Sequence, residues 1–292
     1  MSSLASKIAI GTAQFGLIRY GIHNSRDSIP DSEISEILKE AHRAGIRTID
    51  TASGYGNAEA RLGHFLPVEE SFAIVSKLPG NVENIEQLRN VVSNSLNLLK
   101  QRKIYGYLFH DFATYDKYPA LWDELQNYKN QGVIQKIGFS LYHPRDLETL
   151  LQRKVSLDIV QIPFNVFDRR FAPYLIDLRQ QGVEVHIRSL FLQGLFFVPE
   201  DKLSPHFNSV RPQLSALREI AKKNALPLSA LLLHFALQNP DIGRVIIGVD
   251  GIHNLRDNLA ALADAGSARE AAAELEDVNV VDESILLPYL WK

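Results

Sequence analysis

The chain has 292 residues, 46 % hydrophobic and 22 % charged, which is enough apolar content for a large soluble core. Its formal net charge of -3, with Lys and Arg scattered, gives no electrostatic reason to expect nucleic acid or an anionic membrane as a partner. There is no cysteine, which excludes disulfides, thiolate nucleophiles, Cys-ligated zinc and iron–sulfur clusters.

Short β-branched runs alternate with longer amphipathic stretches. The first run is 8–10, and Asp31 or Ser32 is expected to cap a helix with Ile34, Ile37, Leu38 and Ala41 on its buried face and Gly45 as its left-handed stop. Strands are expected at 48–50 and 72–76, then a helix over about 84–99 with Ile85, Leu88, Val92 and Leu96 in phase. A strand at 107–109 precedes a helix near 119–130 that stops at Gly132. After a strand at 136–139, Pro144 suits the first turn of the next helix, ahead of Leu147, Leu150 and Leu151. Strands at 159–162, 183–187 and 245–247 come next, with helices at 173–181, 213–224, 227–237 and 255–263. The Ala/Glu-rich stretch 269–277 reads as a surface helix, and the apolar end 285–291 is expected to pack back onto the body.

Regular β-then-α alternation predicts a parallel sheet covered by helices. Eight repeats without a change of composition predict closure into a (β/α)8 TIM barrel, with an open doubly wound sheet as the alternative. One domain is expected across 1–292, its C-terminal tail of about 264–292 lying on the barrel. Residues 1–7 are too short and polar to precede a signal-peptide core, and no run of 18 or more apolar residues reads as membrane-spanning. A cytoplasmic location is therefore expected. Nothing in the sequence sets the oligomeric state.

Functional residues of a parallel barrel gather at the C-terminal ends of its strands. The residues at or just past the end of each apolar run are Thr12 and Gln14, Asp50 and Tyr55, Lys77, His110, Ser140, Gln161, Arg188, and Gly248 to Asp250. Each has an ordinary reading alone: Asp50 capping a loop, Tyr55 an exposed aromatic, Lys77 a solvated strand end, His110 a satisfied core-edge histidine. Together they have to face one another at one barrel mouth. Asp50 against Lys77 would form a partly buried ion pair, and a cation near Tyr55 would lower its pKa from about 10 and make it a general acid. No His, Asp or Glu cluster has the close spacing of a metal site; His42, His64, His143 and His206 are scattered.

The chain resembles the aldo-keto reductase superfamily from about 7 to 263. The stretches that carry the likeness are Gly11-Thr12-Ala13-Gln14-Phe15-Gly16, Ile49-Asp50-Thr51-Ala52 with Tyr55-Gly56 and Glu59 to Gly63, and Ser76-Lys77. It continues through Leu108-Phe109-His110, Ile137-Gly138-Phe139-Ser140, Val160-Gln161, and Val245 to Gly248 with Asn258. The resemblance implies NAD(P)H-dependent reduction of an aldehyde or ketone by a tetrad of Asp50, Tyr55, Lys77 and His110. Tyr55 would protonate the carbonyl oxygen, Lys77 paired with Asp50 would lower its pKa, and His110 would position the carbonyl. It further implies a cofactor site formed by Thr12 and Ala13, Ser140 and Gln161 at the carboxamide, and a loop over the pyrophosphate with Ser189, Phe191, Gln193 and Gly194. Gly248, Val249, Asp250 and Asn254 come after the eighth strand, and Asp257 and Asn258 match positions that contact adenine.

Three departures bear on function. Leu141 stands where Asn is common, and Arg188 where an aromatic often stacks on the nicotinamide; Arg188 could stack there or bind an anionic substrate. The run from Gly248 to Asn254 has no clear cation for a 2′-phosphate, and Asp250 has the wrong sign. Family habit favours NADPH, the local residues favour NADH or dual use, and NADPH is the expected cofactor. Phe112, Tyr115, Tyr118, Trp122, Arg169 and Arg170 are expected near the pocket, which suits a polar or anionic carbonyl such as a sugar derivative. Two competing readings are a cofactor-binding regulatory subunit and a barrel isomerase or lyase using Lys77 as a Schiff-base amine.

Overall fold

The computed structural model describes residues 2–18, 20–22, 28–66 and 72–291. Eight strands close into a parallel barrel: β1 (Ile8–Gly11), β2 (Thr48–Asp50), β3 (Ala73–Leu78), β4 (Ile104–Phe109), β5 (Ile134–Ser140), β6 (Ile159–Pro163), β7 (Glu184–Arg188) and β8 (Arg244–Gly248). Each pairs with its sequence neighbour, and β1 returns to β8 through Ile8↔Val245 and Gly11↔Gly248. The expected TIM barrel is what forms.

Helices alternate with the strands: α1 (Asp31–Arg43), α2 (Ala58–Phe65), α3 (Ile85–Leu98), α4 (Ala120–Asn130), α5 (Pro144–Gln152), α6 (Leu175–Gln180), α7 (Arg211–Lys223), α8 (Leu228–Leu237) and α9 (Ile252–Ala260). In α1 the acidic first turn and basic last turn suit the helix dipole, Ile34, Ile37, Leu38 and Ala41 are buried, and Gly45 takes φ +95°. Its cap differs from expectation. Pro30 occupies the cap without a side-chain bond, and the Asp31 carboxylate instead accepts from Arg61 at 2.9 Å. Asn84 caps α3 by accepting from the Gln87 amide, while Gln87 reaches back to the Glu83 amide. The short helix α2 leaves little trace in the periodicity, because it buries Glu59 beside Leu62.

Two apolar layers surround the barrel wall. The larger lies between strands and helices; the second gathers Phe167, Leu192, Phe196, Phe207, Leu231, Leu275 and Ile285 beneath the long connection after β7. The stretch expected to be a surface helix is instead a helix over Ala265–Ala271 running into a 3₁₀ turn over Ala272–Val278, with Ala268, Ala271, Leu275 and Val278 buried in that second layer. Its small apolar side chains pack where charge-rich composition suggests solvent. Inside the barrel, Val75, Leu108 and Ile159 form an apolar plug below the strand ends. No helix among the described residues is long and apolar enough to cross a membrane.

Candidate active site

The C-terminal strand ends surround a cavity of about 380 Å³. At its inner end, Lys77 Nζ lies 2.6 Å from Asp50 Oδ1 and donates to the Thr51 carbonyl at 2.8 Å. The other Asp50 oxygen accepts from Gln161 Nε2 at 2.7 Å, and Ser140 Oγ donates to Gln161 Oε1 at 3.4 Å. Strands β2, β3, β5 and β6 are thus tied together by one chain of polar contacts. The Tyr55 ring centroid sits 5.2 Å from the Lys77 ammonium and 5.6 Å from the His110 ring, edge to face. Asp50, Tyr55, Lys77 and His110 therefore meet at one place.

The Tyr55 loop is held by backbone contact. A Cβ on Gly16 would come within 1.8 Å of the Tyr55 carbonyl oxygen, and one on Gly56, at φ +56°, within 2.4 Å of the Gly16 oxygen. Only glycines allow these two segments to touch, and the contact sets the phenol against Lys77.

The electrostatics correct one expectation. Burial, then the Asp50 carboxylate, push the Tyr55 phenol well above its ordinary pKa, against the Arg188 charge. Lys77 does not acidify it, because Asp50 at 2.6 Å balances the ammonium. Burial likewise pulls Lys77 down while Asp50 holds it up. His110 is pulled down to about 3 by burial and by the charges of Lys77 and Arg188. Near neutral pH the site therefore presents a protonated phenol and a neutral imidazole.

Thr12, Ala13, Asp50, Tyr55, His110, Gln161, Arg188, Ser189, Phe191, Gln193, Gly194, Gly248, Asp250 and Asn254 line the cavity. Lys77 and Ser140 stand behind it, buried. Val249 is buried in the apolar core, Asp257 is exposed, and Asn258 is buried. With Lys77 fully buried and bonded to Asp50 and Thr51, it has no open face for a Schiff base. Tyr115 and Trp122 pack against Phe109 and Phe139 in the core, and neither they nor Phe112 or Tyr118 lines the cavity. Arg170 is held by Asp168 and Glu283, and Arg169 covers Phe235 and donates to the Leu275 carbonyl, so neither reaches the mouth. The polar wall comes instead from Tyr20, Tyr142 and Tyr289, which strand-end reasoning misses. Tyr142 lies two residues past the end of β5, where that reasoning could find it; Tyr289 arrives from the tail.

The outer part of the cavity suits a dinucleotide. Ser189, Leu192, Gln193 and Gly194 all take positive φ, from +45° to +91°, folding a compact loop along the cavity wall. Beyond it, Asn254 Oδ1 and Asn258 Nδ2 on α9 are buried without a hydrogen-bond partner. Ready-made polar groups beside a helix start suit an adenosine. The sign of charge there is negative: the Ile252 amide at the start of α9 donates to Glu33 at 2.8 Å, and Arg256 is paired with Glu36 at 2.8 Å.

Known proteins are similar to this chain. The Aldo/keto reductase family model matches residues 7–279. The NADH-specific methylglyoxal reductase of Escherichia coli is 27 % identical over 92 % of this chain and 99 % of its own. The L-galactose dehydrogenase of Arabidopsis thaliana is 24 % identical over 88 % and 86 %, and the glyoxal reductase of Bacillus subtilis 26 % over 77 % and 75 %. A solved aldo-keto reductase from Bacillus halodurans, in its holo form, shares the fold with a TM-score of 0.75 at 20 % identity, covering 95 % of this chain and 94 % of that one. The chain belongs to the aldo/keto reductase family and is an NAD(P)H-dependent oxidoreductase that reduces carbonyls.

Proposed function

We propose that Tyr55 is the general acid of this reduction, and that the substrate is a small, polar aldehyde or ketone. The observation that carries the proposal is the buried Asp50–Lys77 pair against the Tyr55 ring, with the His110 ring edge to face against the same tyrosine, at the cavity. A bound nicotinamide supplies hydride to the carbonyl carbon. Neutral His110 donates an N–H to the carbonyl oxygen and orients it. Tyr55 holds its proton until negative charge develops on that oxygen, then gives it up to that oxygen. Asp50 and the Thr51 carbonyl keep the Lys77 ammonium from turning away, and Gln161 holds Asp50 in place. Gln161 with Ser140 would hold the carboxamide, the loop from Ser189 to Gly194 the pyrophosphate, and Asp250, Asn254 and Asn258 the adenosine.

The cofactor favoured by these residues is NADH. A 2′-phosphate at the start of α9 would meet Glu33, Glu36 and Asp250, three carboxylates, with Arg256 already paired. This turns the balance away from NADPH, and the NADH-specific relative supports it. The tyrosine hydroxyls of the wall suit an oxygen-rich compound, as do the names of the relatives, two reductases of small dicarbonyls and an L-galactose dehydrogenase.

Tyr55→Phe tests the mechanism. Turnover of methylglyoxal or L-galactose-type carbonyls is expected to fall about 10²–10⁴-fold, while NADH binding, read by its own fluorescence, survives. Unchanged turnover would remove Tyr55 from the reaction. Tighter binding of NADPH than NADH would overturn the cofactor assignment.

A further inference from the structure

Arg188 ends β7, and its side chain lines the cavity beside Tyr55 and His110. Its guanidinium carbon lies 3.9 Å from the centroid of the Tyr142 ring. Nη2 donates to the Leu141 carbonyl at 3.0 Å and Nη1 to Ser189 Oγ at 3.3 Å. A plane stacked on one face and tied at two nitrogens is fixed in place, yet a guanidinium has five N–H donors.

Its charge has no counter-ion among the described residues. Arg61, Arg89, Arg153, Arg170, Arg179 and Arg256 all pair with carboxylates. Arg47, Arg169, Arg211, Arg218 and Arg244 donate instead to backbone or neutral side chains, but Arg188 is the one among the described arginines that lines the cavity, and Asp50 there has one oxygen on Lys77 and the other on Gln161. Among the described residues the inner cavity thus holds two cations, Lys77 and Arg188, against one carboxylate. The excess is felt locally: Arg188 contributes to lowering the pKa of Tyr55, Lys77 and His110 alike. A half-buried, pre-oriented, unpaired guanidinium costs free energy until an anion reaches it.

We propose that Arg188 is a specificity residue that receives an anionic group, carboxylate or phosphate, on the carbonyl substrate, a few atoms from the carbonyl held by Tyr55 and His110. The proposal rests on the reading of the site given above and adds the substrate's charge. The anion takes the free N–H donors of Arg188 while Tyr142 holds the plane. Oxo acids, aldehydic acids and phosphorylated aldehydes are the compounds that qualify.

Matched pairs test it: glyoxylate against glyoxal, succinic semialdehyde against butanal, glyceraldehyde 3-phosphate against glyceraldehyde. In the wild-type enzyme with NADH, the anionic member of at least one pair is expected to show a kcat/KM about 10-fold or more above its neutral partner, and which pair does so separates carboxylate from phosphate. In Arg188→Met that ratio is expected to fall about 10- to 100-fold, whatever loss is common to both members, with Arg188→Lys restoring part of it. Equal kcat/KM within every wild-type pair, or a ratio unmoved in Arg188→Met, overturns the proposal. Should no carbonyl be turned over at all, the reading of the site fails instead. The anion claim is then read from Tm, with oxamate expected to raise that of the wild-type protein more than neutral oxamide does. Equal shifts would refute it, and this measurement needs no variant to fold.

Discussion

The barrel interior holds two lysine–carboxylate pairs of nearly equal length and opposite circumstances. At the mouth, Lys77 and Asp50 are 2.6 Å apart with side chains 0 % and 5 % exposed. At the floor, Lys136 and Glu184 are 2.7 Å apart with side chains 31 % and 27 % exposed. Glu184 also accepts from Tyr105 at 2.7 Å and meets His186 at 3.2 Å. Both carboxylates have each oxygen bonded; what differs is exposure, the floor network being partly open to solvent and the mouth pair dry. Equal geometry therefore does not mean equal energy. Desolvation sets the difference, and it makes the mouth pair costly to break from one side.

The largest expected consequence is at Lys77. Lys77→Met leaves Asp50 buried with Gln161 as its only side-chain donor among the described residues, and removing one partner of a buried pair costs about 3–5 kcal/mol. Urea unfolding should show that loss, and reduction should be all but abolished. The double variant Asp50→Asn with Lys77→Met should recover part of the stability but none of the turnover, since it removes the stranded charge without restoring the cation. A loss under about 1 kcal/mol in the single variant would mean that the mouth pair behaves like the floor pair.

The same contrast explains what can be read from the sequence. Strands buried on both faces appear as apolar runs, and the polar residue closing each run marks the mouth; that rule alone picks out Asp50, Lys77, His110, Ser140, Gln161 and Arg188. Spacing does not say which way a loop turns. Tyr115 and Trp122 come after the fourth strand, where a pocket wall is expected, yet they stack into Phe139 behind the barrel wall. Arg169 and Arg170 look available in the sequence because the Leu275 carbonyl and Glu283, which hold them along with the nearby Asp168, lie more than 100 residues further along. Tyr289 enters the cavity from the tail, where its ring meets Tyr142 edge to face and its hydroxyl meets His143 at 3.3 Å, contacts invisible to periodicity. The sign of the Tyr55 shift escapes the sequence for a related reason. A neighbouring cation is legible there, while the burial and the carboxylate beside it depend on tertiary structure.

A smaller effect is expected at the floor. Burial works to raise the Glu184 pKa, but bonds from His186, Lys136 and Tyr105 outweigh it and hold the carboxyl well below its usual range. A depressed folded pKa contributes stability above the unfolded value of about 4.3 and loses it as pH falls toward the folded one. Glu184→Gln should cost about 1 kcal/mol at pH 7, a value typical of partly solvated pairs. The gap to wild type should shrink steadily below about pH 4.5. A gap that stays constant from pH 7 to pH 3 would mean that Glu184 stabilises by packing alone.

The smallest effect expected is no effect, and it separates mouth from floor most directly. Reduction requires Tyr55 protonated and His110 neutral. His110 stays neutral above about 3, and the Tyr55 pKa lies above the ordinary phenol value, so both conditions hold across the neutral range. With NADH saturating, kcat for reduction should vary less than about 2-fold between pH 6 and 9, since neither group titrates there. The reverse reaction should instead climb with pH, because it begins with loss of the Tyr55 proton. An acidified phenol would give the opposite pattern: reduction falling above pH 7 to 8 as Tyr55 ionises. Such a fall, absent in Tyr55→Phe, would show that Lys77 outweighs burial after all, and that the mouth pair is less neutral than its 2.6 Å contact implies.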